Sequence, residues 1–212
     1  MDDAYFEEIQ QGLILNSHYV ESKDVPNIDL YMDQVTTFMD QHLAALKRDA
    51  DDKTLTKTMI NNYAKAELLP PPVKKKYSRD HLLVMLSIYY LKNILSITDI
   101  KLLLDPITGR YFSQDADRGL ADFYDTCLKA DETGLEPALA DIHNRFEEAK
   151  RLFADAPVDD TERNVLERTA FVNMLGYDIA IRQRFIDAIL SSIRMEAEEQ
   201  ELKTQNTKEK KG

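Results

Sequence analysis

Polar and basic side chains cluster between residues 56 and 77. A helix that begins after Thr56, an N-cap residue type, would place five of them on one face and its apolar residues on the other. Asparagine amides can make paired hydrogen bonds to adenine, and lysine ammonium groups can reach guanine or phosphate. The candidate contacts to a nucleic acid are Lys57, Thr58, Asn61, Asn62 and Lys65 on this helix and Lys74, Lys75, Lys76 and Tyr77 behind it.

The charge of the chain is distributed unevenly. The formal net charge is -11 over 212 residues, yet residues 51–104 hold nine Lys and Arg against five Asp and Glu. Residues 1–50 hold three Lys and Arg against ten Asp and Glu, and residues 105–212 hold 15 Lys and Arg against 23 Asp and Glu. A basic segment between acidic flanks favours a face that meets a polyanion. Lysine runs are also common on solvated surfaces that bind nothing, so this pattern leaves both interpretations open.

Local signals place these residues on separate elements. The short helix is predicted over Lys57–Lys65. The prolines Pro70–Pro72 then stop any helix, because each lacks an amide hydrogen and restricts the residue before it. Val73–Tyr77 is then a short extended segment, and Ser78 is expected to cap a new helix. Ser96 predicts the start of the next helix. Upstream, Tyr31–Leu46 predicts a helix that packs across the short one through its apolar residues, Tyr31 included.

These elements have the order of a helix-turn-helix: a helix, a connector and a short second helix with polar side chains on its outer face. In that motif the second helix enters the major groove of DNA. The segment from the prolines to the lysines would form a wing, whose basic residues lie beside the phosphate backbone. The sequence therefore predicts a DNA-binding protein. The alternative is an all-α protein-interaction module that has kept the fold but does not bind DNA.

Helical periodicity continues through the rest of the chain. One stripe with the spacing of a single buried face comprises Leu120, Phe123, Tyr124, Cys127 and Leu128. No segment alternates convincingly with period 2, so the fold class is all-α: a winged helix-turn-helix followed by a C-terminal helical bundle.

A long helix is predicted from Val158 onward. Its apolar residues recur every seven positions and are too numerous for one face to hide in so small a domain, which predicts a homodimer. The stripe predicted to join the two copies is Val165, Val172, Ile179, Ile186 and Ile193. After Met195 the apolar stripe is lost, and the helix is expected to fray into a charged tail.

A further pattern lies within residues 55–104. Its residues are Tyr63, Leu68, Leu69, Pro70 and Pro71, then Lys76, Tyr77 and Ser78, then Leu95, Ser96 and Ile100. This pattern resembles the DNA-binding module of MerR-type transcription regulators. Glu67 stands where that family prefers glycine, which would allow a left-handed helix cap. The whole chain is similar to members of a bacterial family recorded as a domain of unknown function. The resemblance implies a MerR-like winged helix-turn-helix and a transcription regulator. The single cysteine, which allows no internal disulfide, favours a cytoplasmic location.

The predicted organisation has four parts. Residues 1–26 form an acidic lead, 27–104 the DNA-binding domain, 105–195 a helical domain for dimerisation or sensing, and 196–212 a flexible charged tail. The partners expected are double-stranded DNA and a second copy of the chain, with no membrane and an effector that the sequence does not identify.

Catalytic chemistry has no support in the sequence. The four histidines are isolated, and the single cysteine, Cys127, allows no internal disulfide. No nucleophile elbow, phosphate-binding glycine pattern or metal-ligand spacing is present. We therefore expect a protein that is not an enzyme and that needs neither a metal nor another cofactor.

Overall fold

A computed structural model describes residues 2–16, 19–47, 54–112 and 119–209. These residues are mostly helical, with one small antiparallel sheet in which Leu30 lies opposite Tyr77 and Tyr31 opposite Lys76. Short 3-10 turns occur at Ser22–Asp24 and Ala44–Leu46. The elements are α1 (Asp3–Asn16), β1 (Leu30–Tyr31), α2 (Met32–Leu43), α3 (Lys57–Lys65), β2 (Lys76–Tyr77), α4 (Arg79–Leu91), α5 (Ile97–Tyr111), α6 (Leu120–Leu152) and α7 (Asp160–Glu209).

The chain forms two compact units. One unit is Gln11–Thr133, and the other combines Met1–Gln10 with Gly134–Gly212, so that α1 and α6 each contribute residues to both. Every residue predicted to contact nucleic acid belongs to the first unit. That unit continues past residue 104, where the sequence placed a domain boundary.

Helix α4 is the centre of the first unit. Eight of its 13 residues are buried, and they occupy all sides of the helix. A helix that is apolar all round must be covered all round. The residues that share its core cluster come from α2, from α3 and the segments on either side of it, from β2 and from α5. They include Val35, Met39, Leu43, Leu55, Ile60, Tyr63, Leu68, Leu69, Tyr77, Ile100 and Leu104.

The segment before the first 3-10 turn is held by two tyrosines, Tyr124, which is buried, and Tyr90, which is partly buried. The hydroxyl of Tyr124 on α6 donates a hydrogen bond of 2.6 Å to the carbonyl of Val20. The amide of Val20 donates to the hydroxyl of Tyr90 on α4 at 3.1 Å. Burial raises the pKa of both phenols, so both hydroxyls remain protonated. Val20 therefore ties α4 to α6 through both of its backbone groups.

A second connection joins α4 to α6 through a buried serine. Ser22 donates its hydroxyl to Asp125 at 2.6 Å and its amide to the same carboxylate at 3.1 Å. Arg79, the first residue of α4, donates to the Ser22 carbonyl at 2.7 Å. The base of α4 is thereby fixed where the chain leaves β2.

The first turns of α6 bury a narrower stripe than the sequence predicted. Leu120, Tyr124 and Leu128, spaced four residues apart, are buried. Phe123 is 38% exposed, and Cys127 is exposed as well. Both lie at the edge of the stripe, where a helix that is covered along one line leaves side chains in solvent.

Helix α5 continues through a proline. Pro106 lies inside the helix and provides no amide hydrogen for the turn before it. The hydroxyl of Thr108 donates to the carbonyl of Leu104 at 3.0 Å in the next turn. Ile107 and Tyr111 pack against the core cluster. Tertiary packing thus extends the helix beyond the predicted boundary.

The second unit has an aromatic centre of its own. The ring of Phe6 on α1 stacks on Phe146 of α6 with centroids 4.3 Å apart, and Phe171 of α7 meets Phe146 edge-on at 5.8 Å. Around it, Lys150 pairs with Asp3 at 2.6 Å. Ion pairs that involve such an exposed carboxylate contribute little to stability, so the aromatic contacts dominate.

Helix α7 is continuous over 50 residues, through Gly176 and past Met195 to Glu209. The predicted tail is therefore helical from residue 196 to 209, and residues 210–212 lie outside the described ranges. Lys203 pairs with Glu199 at 3.3 Å, four residues away, the spacing that supports an exposed helix. In the part of the chain that the structure describes, no helix has both the length and the apolar character needed to cross a membrane.

The pH dependence of stability should report on His81, which is 3% exposed and whose Nδ1 accepts the amide of Ser78 at 3.0 Å. Burial lowers the pKa of His81 below its ordinary value of 6.5. When the pH falls below about 6.5, the unfolded chain binds a proton that the folded chain does not. The free energy of unfolding should therefore fall with pH, by at most about 1.4 kcal/mol per pH unit from this residue.

The matched variant is His81→Gln, because glutamine three residues after a serine N-cap can accept the same amide and cannot titrate. Urea denaturation at pH 5.5, 6.5 and 7.5 measures both proteins. We expect a shallower pH dependence for the variant. Equal slopes for the two proteins would contradict the assignment to His81.

Candidate nucleic-acid interface

Helix α3 has the two faces that its sequence predicts. Thr56 caps it, since its hydroxyl accepts the amide of Met59 at 3.2 Å. Ile60 and Tyr63 are buried at 0% and 5% exposure. The five residues predicted for the outer face, Lys57, Thr58, Asn61, Asn62 and Lys65, are all exposed. The structure therefore brings together three uncharged hydrogen-bonding side chains and two ammonium groups on one surface of this helix.

The end of α3 has a left-handed residue that is not glycine. Glu67 has φ of 57°. The amide of Leu68 donates to the carbonyl of Tyr63 at 2.9 Å, and that of Glu67 donates to Ala64 at 3.1 Å. This is the Schellman pattern, which normally uses glycine at this position. Burial of Leu68 at 1% exposure offsets the backbone cost, which is about 1–2 kcal/mol for a residue with a Cβ.

The lysine run forms the tip of a tight hairpin. Val73 and Lys76 exchange both backbone hydrogen bonds, at 3.1 and 3.0 Å. Lys74 and Lys75 lie between them with φ of 50° and 64°. Two consecutive left-handed residues define a type I′ turn, for which Asn-Gly is the favoured pair. Two exposed lysines thus adopt left-handed backbone conformations, which residues other than glycine, asparagine and aspartate rarely adopt.

One side of the hairpin carries apolar side chains that the sequence assigned differently. Tyr31 and Val73 both pair with Lys76, so the three side chains lie on the same side of the ladder. Tyr31 is 54% exposed and Val73 68%. The ammonium group of Lys76 lies 5.1 Å from the centroid of the Tyr31 ring, within range of a cation–π contact.

Tyr31 was predicted to be an inward residue of a helix, but it is the N-cap of α2. Its amide donates to the side chain of Gln34 at 2.8 Å. A glutamine at the third helical position is the partner in a capping box. Gln34 is therefore the sequence signal that would have placed Tyr31 outside the helix, at the surface.

Tyr77 is not available to a ligand, contrary to the prediction. It is 4% exposed, and its ring meets His81 edge-on at 5.5 Å inside the core cluster. Successive residues of a strand point to opposite faces. Because Lys76 faces outward, Tyr77 must face inward. The candidate interface loses this residue and gains Tyr31.

The first turn of α2 links the hairpin to α3. Tyr31, at its start, contacts Lys76, and the carboxylate of Asp33 forms an ion pair with Lys57 at the start of α3. The start of α2, through its N-cap Tyr31 and through Asp33, thus reaches the base of the hairpin and the first residue of α3. The two groups of predicted contacts therefore border the same turn of α2.

The available positive charge lies mainly at the hairpin tip and the end of α3. Lys57 is neutralised in part by Asp33, although both side chains are exposed and the pair is weak. Within the described residues, Lys65, Lys74 and Lys75 have no carboxylate partner. A search of those same residues finds no group of three or more His, Cys, Asp or Glu side chains placed to hold a metal ion. The arrangement is suited to binding a polyanion.

A family model described as "Domain of unknown function (DUF1836)" matches residues 20–127. The matched range contains α2, α3, the hairpin, α4 and α5 complete, together with the first turns of α6. No curated protein and no solved structure matches the chain.

The strain at the hairpin tip can be measured. The double variant Lys74→Asn with Lys75→Gly supplies the favoured residues of a type I′ turn, and we expect its free energy of unfolding to rise by about 1–2 kcal/mol. The matched control, Lys74→Gln with Lys75→Gln, removes the same charges and keeps the strain. Urea denaturation compares them, and equal stability of the two variants would contradict a left-handed tip.

Proposed function

The chain belongs to the DUF1836 family, and we propose that it is a transcription regulator that binds duplex DNA. In this proposal α2 and α3 act as a helix-turn-helix of MerR type, and the hairpin acts as its wing. The observation that carries the proposal is the pair of exposed lysines, Lys74 and Lys75, held in left-handed conformation beside the turn of α2 that also contacts α3.

The strain argues for a role of the charges. Asparagine and glycine would fit the turn better, and neighbouring lysines repel each other. Residues that violate local preference in an otherwise well-packed unit are typical of functional sites. A phosphate backbone beside the tip would be bound by both ammonium groups. Such binding would explain why lysines occupy positions at which asparagine and glycine would give a more stable turn.

The outer face of α3 supports base recognition. The nine residues of α3 extend about 13 Å along the helix axis. An α-helix with its side chains fits the major groove, which is about 12 Å wide. Asn61 and Asn62 offer the amide groups that pair with adenine, and the hydroxyl of Thr58 can donate to or accept from the edge of a base. In the proposed complex α3 reads the sequence, while Lys65 and the hairpin fix the position on the backbone.

The remaining parts of the proposal concern its context. We expect the protein to act in the cytoplasm and as a homodimer, since two copies would present two reading helices to half-sites about one helical turn apart. The effector, if one is bound, stays unidentified.

One observation favours a second candidate function. Val73 is 68% exposed and Tyr31 54%, and both lie opposite Lys76 on one side of the hairpin, where they form apolar surface. Apolar surface rimmed by charge is typical of protein docking sites. An acidic protein partner would use the same lysines, so the two candidates differ in whether free duplex DNA binds.

Salt dependence tests the proposal. If four or five of Lys57, Lys65, Lys74, Lys75 and Lys76 neutralise phosphates, the slope of log affinity against log salt should be about -4 on mixed-sequence duplex. Fluorescence anisotropy measures it. The Lys74→Asn, Lys75→Gly variant keeps the turn and should have a slope smaller in magnitude by about 1.8. A flat response, or no binding at low salt, would leave only the protein-docking candidate.

Sequence preference tests the role of α3. Selection of bound fragments from random duplex DNA should yield a common motif for the wild-type protein. Asn61→Ala should relax the preference at one base pair, at a cost of about 1–3 kcal/mol there, while the hairpin variant weakens binding to all sequences alike. Equal loss of preference in both variants would mean that the roles of α3 and the hairpin are exchanged.

A further inference from the structure

Helix α7 carries an apolar face that nothing in its own chain covers among the described residues. Its large side chains are exposed by 41–72%. A shallow depression of about 450 Å³ lies at its middle, where Phe185, Ala188 and Ser192 form part of the lining. The exposed apolar residues along this face are Tyr177, Ile181, Phe185, Ile189, Met195 and Leu202.

This face is not the stripe that the sequence predicted for dimerisation. Val165, Val172 and Ile179 of that stripe are 59–67% exposed, but Ile186 and Ile193 are half-buried. On a straight helix a seven-residue repeat drifts by about 20° per repeat, hence about 80° over four repeats. The predicted stripe therefore turns towards its own chain in the second half of α7, where Leu190 is 2% exposed.

We propose that residues 177–202 of α7 pair with the same segment of a second copy of this chain, antiparallel, with the two-fold axis level with residue 190. In that register Ala188 lies opposite Ser192 of the second copy, so small side chains meet at the axis and the helices approach closely. Phe185 lies opposite Met195. An isologous contact of this kind closes on itself and gives a dimer.

Charge complementarity selects the antiparallel direction. Arg184 and Glu196 are equally distant from residue 190, so each meets the other across the axis, twice per dimer. Within the described ranges Arg184 has no ion pair, and Glu196 accepts a hydrogen bond of 3.3 Å from Ser192. A parallel pair would instead place Arg184 against Arg184 and Glu196 against Glu196, which is unfavourable.

The size of the face agrees with a stable contact. Twelve large side chains from two copies, on the order of 100 Å² each, would bury an area comparable to the lower limit of about 1,000 Å² for specific interfaces. Ile181 would lie opposite Glu199, whose carboxylate is held by Lys203 at 3.3 Å. That position is at the rim, where charged groups remain in solvent.

Charge reversal tests both the partner and the register. Sedimentation equilibrium should give twice the chain mass of 24.4 kDa for the wild-type protein. Arg184→Glu and Glu196→Arg should each raise the dimer dissociation constant by about tenfold or more, and the double variant should restore it. In a parallel pair the double variant would keep both repulsions and restore nothing.

Two further variants separate this face from the predicted stripe. Phe185→Glu should give a monomer, while Val172→Glu, at a residue 65% exposed on the other side of the helix, should leave the dimer unchanged. Circular dichroism confirms that each variant is folded. A wild-type monomer at the highest attainable concentration, or dissociation by Val172→Glu instead of Phe185→Glu, would overturn the proposal. Neither outcome depends on whether the protein binds DNA.

Discussion

The burial of helix α4 on all sides is the constraint on which the first unit depends. Because α4 has no solvent face, α2, α3, β2 and α5 must each present apolar residues to it. Ser78 and His81 close the start of α4 directly after the hairpin, and Arg79 ties the same point to Ser22. The positions of α3 and of the lysine hairpin therefore follow from packing against one central helix, and their outer faces carry little of the stability.

Because packing against α4 supplies the stability and these outer faces contribute little, the first unit tolerates unfavourable backbone conformations. Glu67, Lys74 and Lys75 all have positive φ without being glycine. Buried residues follow each strained stretch within two positions, Leu68 and Leu69 after Glu67 and Tyr77 after Lys75. The core fixes the chain just beyond the strain, and the side chains at the strained positions are exposed. Such positions can be used for binding at a cost that the core absorbs.

In the second unit, neighbours of the same chain cannot cover a helix as long as α7 along one line. Phe171 faces the aromatic centre in the first half, whereas Leu190 is buried in the second half on a different side of the helix. The covered side therefore changes along α7, and the side left in solvent changes with it. A stripe defined by sequence spacing alone cannot follow this change, because it assumes that one line of the helix keeps one environment.

The sequence by itself determined the features that depend on near neighbours. These features are the caps Thr56, Ser78 and Ser96, the span of α3 and its two faces. They follow from residues within a few positions of each other, and the structure has them as predicted. Only the tertiary structure decided that Tyr77 faces in, that α5 passes through Pro106, and which side of α7 is exposed. These features depend on contacts between distant parts of the chain, such as Leu30 opposite Tyr77, and local spacing carries no information about which distant residue will cover a given side chain.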